Sequence, residues 1–216
     1  MSAQIKKESL VDQIYQRLRE DIITLRLPLG ARLNVNEIQT QLGVSCTPVR
    51  EAVNRLQQEG LVAYENNVGA RVLTLREHDV GEINELAYAL QTAAVRLSME
   101  RGDRVAMAAE IRIQIGRYQA ARTARERVNA VYELIGVFYH HCGNQRLDRS
   151  MIALQGQVLL LRNIYAECPG AGENVELFQR MLAGVQAGDN ARICDALLEY
   201  GERMRPAILD WLAQQA

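Results

Sequence analysis

The stretch from Leu42 to Leu61, LGVSCTPVREAVNRLQQEGL, spaces its polar groups as an anion-binding surface would. Gly43 makes a turn, Ser45 and Thr47 then place two hydroxyls where a helix begins, and Pro48 stands in the first turn, where a missing N–H costs nothing. A helix N-terminus presents unpaired N–H groups and the positive end of the helix dipole, so hydroxyls and backbone amides there bind phosphate. Arg50 follows Thr47 by three residues and points roughly the same way, able to make a bidentate contact to guanine or to clamp a phosphate. A recognition helix in a major groove works like this, reading bases with its N-terminal residues while its flanks hold the backbone. Each piece alone has a blander reading, a simple cap or a solvated arginine; the combination is more specific than its parts.

Other elements have to position that helix. Ser9 can cap a helix with apolar residues at Leu10, Ile14, Leu18, Ile22 and Leu25, stopped by Pro28 and Gly30. Asn34 caps a second, short helix from Val35 to Leu42, and the third begins at Ser45 or Thr47 and buries Val49, Ala52, Val53 and Leu56 before Gly60. LVAYENNVGARVLTL then reads as strand, turn, strand, with Asn66, Asn67 and Gly69 suited to a hairpin turn. Three helices and a hairpin make a winged helix-turn-helix.

From His78 onward the periodicity is helical almost to the end. Val80, Ile83, Leu86, Leu90, Ala94 and Leu97 form one stripe, broken at Arg101 to Asp103, and further helices are expected over 105–121, 128–142, 147–165, 175–185 and 190–214. Short connections between amphipathic helices predict a compact antiparallel bundle. The expected fold is therefore mainly α, a winged helix-turn-helix domain over residues 1–76 followed by an all-helical domain over 77–216.

Bulk properties bound the function. The 216 residues are 48% apolar, enough for a folded core, and a net charge of −1 argues against a non-specific nucleic-acid coat while permitting a focused basic face. No run of about 18 apolar residues crosses a bilayer and the start lacks a secretory signal, so a cytoplasmic location without membrane attachment is expected. Cys46, Cys142, Cys168 and Cys194 share no zinc-ligand or disulfide pattern and read as reduced thiols. There is no GxSxG, no P-loop and no strand-linked GxGxxG, and the consecutive His140, His141 and Cys142 are poorly placed as base and nucleophile. The chain is not expected to be an enzyme.

With GARLNVNEIQTQLGVSCTPVREAVNRLQQEGLV as its most diagnostic segment, the region 10–75 resembles the DNA-binding domain of the GntR family of bacterial transcriptional regulators. The helical remainder resembles the FadR-type (FCD) effector domain of that family. The resemblance implies a homodimer on a short palindromic double-stranded DNA operator, modulated, as a repressor in the leading reading, by a small molecule. It places Arg32, Asn36, Ser45, Cys46, Thr47, Pro48, Arg50, Asn66, Asn67 and Gly69 at the DNA. Relatives generally carry Arg where Cys46 stands, and an Arg is common where Val68 stands before Gly69, so two charged contacts are replaced here and Arg32 and Arg50 gain weight.

Many FCD domains hold a divalent metal through an Asp, a His one turn later and two further His. The resemblance puts these positions at Val131, Ile135, Phe178 and Tyr200, which are not metal ligands of the usual kind, and the arginine that often pairs with a carboxylate ligand corresponds to Ala87, with Gln91 where Glu is usual. No metal and no cofactor is expected, and a metal-bound carboxylate effector is disfavoured. The surviving expectation is an effector pocket of apolar and neutral polar groups, Ala87, Gln91, Val131, Ile135, Phe178 and Tyr200, suited to a more apolar ligand. Its alternative is that these residues simply fill the core. A dimeric winged-helix adaptor that binds protein in place of DNA, and a helical enzyme, are the competing functions.

Overall fold

In the computed structural model, which describes residues 9–65, 69–169, 171 and 174–215, the chain forms two compact units that meet in sequence between Thr74 and Leu75. The N-terminal unit holds α1 (Leu10–Ile23), α2 (Val35–Leu42), α3 (Cys46–Gln58), β1 (Val62–Glu65) and β2 (Gly69–Val72). The second holds α4 (Glu77–Arg101), α5 (Arg104–Ala120), α6 (Ala124–His141), α7 (Gln145–Glu167), α8 (Val175–Ala187) and α9 (Asn190–Gln215).

A capping box starts α1: Ser9 Oγ accepts from the Asp12 amide, and the Asp12 carboxylate accepts from the Ser9 amide. Hydrogen bonds from Ser9 and from the Arg55 guanidinium hold the Asp12 carboxyl down at about 2. The helix ends at Ile23, and Leu25, expected within it, instead leaves at φ 60°, a left-handed turn ahead of Pro28. One face of α1 packs on α3, burying Ile14, Leu18 and Ile22 against Val49, Ala52, Val53 and Leu56. A polar clasp flanks this seam. Glu59 accepts from the Tyr15 hydroxyl and from Arg19 Nε, each at 2.8 Å, and Arg55 Nη1 donates to Asp12 Oδ1 at 2.7 Å.

The wing pairs Val62 with Val72 and Glu65 with Gly69 in antiparallel register. A third segment, missing from the sequence reading, joins it: Arg32 bridges Arg71, the Leu33 amide donates to the Ala70 carbonyl at 2.8 Å, and the Val72 amide donates to the Ala31 carbonyl at 2.9 Å. The α1–α2 connection is thereby fixed to the wing.

In the second unit α4 lies against α6, α7 and α9, and α5 against α6 and α8. The face of α4 turned inward is Val80, Ile83, Ala87, Gln91, Ala94, Val95, Leu97 and Ser98, whereas Leu86, assigned to the stripe from sequence, is 51% exposed. Tight approaches need small residues at the α8–α9 corner: Gly184 stands where a Cβ would come within 2.6 Å of Ile193, and Gly188 ends α8 at φ 76°. Asp189 Oδ1 then accepts from the Arg192 amide at 3.0 Å, capping the start of α9. Arg203 binds both Glu199 and Glu176, and Arg180 binds Glu199, lacing α8 to α9. Among the described residues, no helix is long and apolar enough to cross a membrane.

Candidate nucleic-acid interface and effector cavity

The turn between α2 and α3 is built from backbone hydrogen bonds. Asn34 Oδ1 caps α2 by accepting from the Asn36 amide at 3.0 Å, and Gly43 closes it in the left-handed region at φ 65°. Ser45 is the residue ahead of α3, in extended conformation, but its side chain makes no capping hydrogen bond. The Ser45 and Thr47 hydroxyls are therefore exposed at the positive end of a 13-residue helix, with Cys46 and Pro48 half-buried between and behind them.

Arg32, Asn36, Arg50 and Gly69, four residues distant in sequence, line one open concavity of about 440 Å³ between α2, α3 and the wing. Ser45, Cys46, Thr47 and Pro48 lie apart from it, at the end of α3. Asn66 and Asn67 lie outside the described residues. Among the described residues, no carboxylate pairs with Arg32 or Arg50, whereas Arg19, Arg26, Arg55 and Arg71 each hold one. Internal carboxylates thus neutralise the arginines that brace the unit and leave the two at the concavity uncompensated. Two further residues complete the surface: Asn54, one turn beyond Arg50 on α3, and Tyr64, whose hydroxyl donates to Asn54 Oδ1 at 3.2 Å. The Arg50-to-Asn54 spacing is a sequence signal that was passed over; the place of Tyr64 depends on the wing register.

In the bundle, a cavity of about 300 Å³ opens between α4, α7 and α9. Ala87, Gln91 and Tyr200 line it. Ile135 lines a smaller adjoining space of about 50 Å³ between α6 and α7. Val131 and Phe178 line neither, and that expectation is corrected: both are buried, and the Phe178 ring is held edge-on to Tyr118 at 5.0 Å and tilted on Tyr200 at 5.7 Å. Their volume is used in packing.

The lining is not confined to apolar and neutral groups, a second correction. Arg162 on α7 is 4% exposed and borders both cavities, as do Gln91 and Val158. Among the described residues, no carboxylate and no hydrogen-bond acceptor is placed on its guanidinium. Burial draws its pKa down and pushes the phenols of Tyr139 and Tyr200 up, so these tyrosines face a cation as neutral hydroxyls. Within this unit, the Tyr139 hydroxyl and Asn84 Nδ2 are buried and lack hydrogen-bond partners among the described residues.

A divalent metal does not fit. Among the described residues no group of three His, Cys, Asp or Glu converges on one point. The side chains at the positions implied by the resemblance are Val131, Ile135, Phe178 and Tyr200; of the histidines on α6, His141 binds Glu110 at 3.0 Å and His140 borders the smaller space. Helical geometry separates the two histidines by about 100°.

A winged helix-turn-helix with an uncompensated basic concavity, in the same chain as a helical bundle, is the architecture of a DNA-binding regulator. Comparison with known proteins agrees. Residues 10–72 match the bacterial regulatory proteins of the gntR family and residues 82–203 match the FCD domain. The chain belongs to the GntR family of transcriptional regulators, in the group with an FCD domain, and is not an enzyme. It is 28% identical over 212 residues to the probable D-xylose utilization operon transcriptional repressor of Paenarthrobacter nicotinovorans, covering 95% of this chain and 92% of that one. It is 31% identical over 91 residues to the uncharacterized HTH-type regulator YdhC of Bacillus subtilis, an alignment spanning 42% of this chain and 41% of its relative. The structure of E. coli McbR/YncC superposes with a TM-score of 0.77 at 25% identity, covering 97% of this chain and 99% of that one.

Proposed function

We propose that the chain is a repressor that binds a short palindromic operator as a homodimer, through a DNA-binding domain spanning residues 1–76, and is modulated by a small molecule bound in the helical domain spanning 77–216. The observation that carries the DNA-binding half is the concavity in which Arg32, Asn36, Arg50 and Gly69 meet with, among the described residues, no carboxylate on either arginine. Unpaired guanidiniums on a surface shaped by α3 and a wing are suited to phosphates and base edges. Ser45 and Thr47 supply phosphate-binding hydroxyls at the end of α3, and Asn66 and Asn67 are assigned to the backbone or minor groove beside the wing. Two-fold DNA sites call for a two-fold protein, with α4 and α7 as candidate dimer surfaces. The repressor direction is supported by the name of the Paenarthrobacter relative.

A gel-shift against the protein's own upstream region tests the reading. Specific retardation that vanishes in Arg50→Ala is expected. No retardation of any genomic fragment by the wild type would replace the regulator with a protein-binding adaptor.

A further inference from the structure

From the buried side of the bundle cavity, we infer that the α4/α7/α9 space is a metal-free binding site for an organic monoanion, its acid group held by Arg162. This deepens the function proposed above, since it rests on the helical unit being the sensor.

A side chain of this kind is almost never buried without a partner. Arg162 is buried in the lining of the larger cavity, unpaired among the described residues, and its neighbours there include groups that can add hydrogen bonds to an acid, Gln91 and the phenol of Tyr200, while Tyr139 lines the smaller space that Arg162 also borders. The Tyr139 hydroxyl is buried with no hydrogen-bond partner among the described residues. A planar guanidinium binds carboxylate or another oxyanion through two parallel N–H···O bonds.

The rim sets how many charges the ligand carries. Glu85 and Glu202 are exposed at the mouth, and Arg205, also exposed there, is engaged by Glu77 at 3.7 Å. A second anionic group would meet those carboxylates, so one acid per ligand fits. Between floor and rim the walls are Ala87, Val158, Leu197 and Met204, which suit an apolar body. A volume of about 300 Å³ lies at the small end of ligand sites, in keeping with a small molecule.

The test uses full-length protein and the straight-chain monocarboxylates from acetate to octanoate together with benzoate, each paired with its primary amide. Calorimetric titration should show at least one acid binding about tenfold or more tightly than its amide, the range of a charge-assisted hydrogen bond. Arg162→Met should abolish that preference, and Arg162→Lys, which keeps the charge without the fork, should retain part of it. Addition of EDTA should change nothing. Equal binding of acid and amide by wild type, no binding across the series, or an undiminished preference in a folded Arg162→Met would overturn the proposal. Operator gel-shifts on the same samples separate the two readings. Acid-selective binding lost in Arg162→Met upholds the site even if no DNA is retarded, and retarded DNA without acid selectivity removes the site while leaving the regulator.

Discussion

The Tyr64 hydroxyl on β1 donates to Oδ1 of Asn54 on α3 across 3.2 Å, tying the wing to α3 beside the concavity that Arg50 lines. With Oδ1 engaged, the Asn54 amide nitrogen keeps both its donors. Asn54→Ala is expected to weaken operator binding by about 1 kcal/mol and relax preference at one base pair, as loss of a single hydrogen bond to a base edge does. Gel-shifts on operators substituted one position at a time provide the check. If Asn54→Ala binds every operator like the wild type, the pair is only a strut between wing and helix.

Cys46 opens α3 beside two exposed hydroxyls. Cys46→Arg is expected to tighten operator binding and to steepen the dependence of log K on log salt by about one unit, the increment of one added phosphate contact. Affinity measured from low to high salt decides. Unchanged slope and affinity would show that position 46 does not meet DNA.

Glu59 and Arg19 are 9% and 13% exposed, so their contact is largely shielded from solvent. Glu59→Ala leaves Arg19 and the Tyr15 hydroxyl without their acceptor, and is expected to cost the protein about 3 kcal/mol, as breaking a buried pair from one side does. Urea unfolding would measure it. A loss below about 0.5 kcal/mol would place the pair among ordinary surface contacts.

Gly184→Ala forces a methyl group to within 2.6 Å of Ile193 Cγ1 and 3.0 Å of the Asp189 carbonyl, where α8 turns into α9. Overpacking of this sort costs about 1–3 kcal/mol. Thermal unfolding should show a lowered midpoint in Gly184→Ala that Ile193→Val partly restores. A wild-type midpoint in the single variant would mean the corner yields freely.

Most helices were legible because periodic apolar residues and punctuation agree. Gly43, Gly143 and Gly188 mark stops, and Asn34, Ser45 and Asp189 mark starts. What escaped depends on contacts between distant residues. The strand-like pairing of Arg32 with Arg71 joins residues far apart in sequence, and no local pattern in GARLN announces it. Leu25 fits the α1 period but follows the last helical turn, since Pro28 pulls the chain away first. The cavity was half legible: Ala87, Gln91 and Tyr200 were placed, while Arg162 was overlooked. In QVLLLRNIYAE a lone arginine flanked by leucines and an isoleucine was the available signal, because a stripe that wide buries the helix nearly all round. Val131 and Phe178 could not be separated from lining residues by type, since packing and cavity walls use the same side chains.

The clasp of Tyr15, Arg19 and Asp12 on Glu59 and Arg55 runs along one edge of the apolar seam between α1 and α3. With the seam and the clasp both in place, a displacement of α1 would carry α3, and Arg50 on it, in the same direction. Control of such a grip on DNA needs no unfolding of the recognition helix, only a hand on its neighbour.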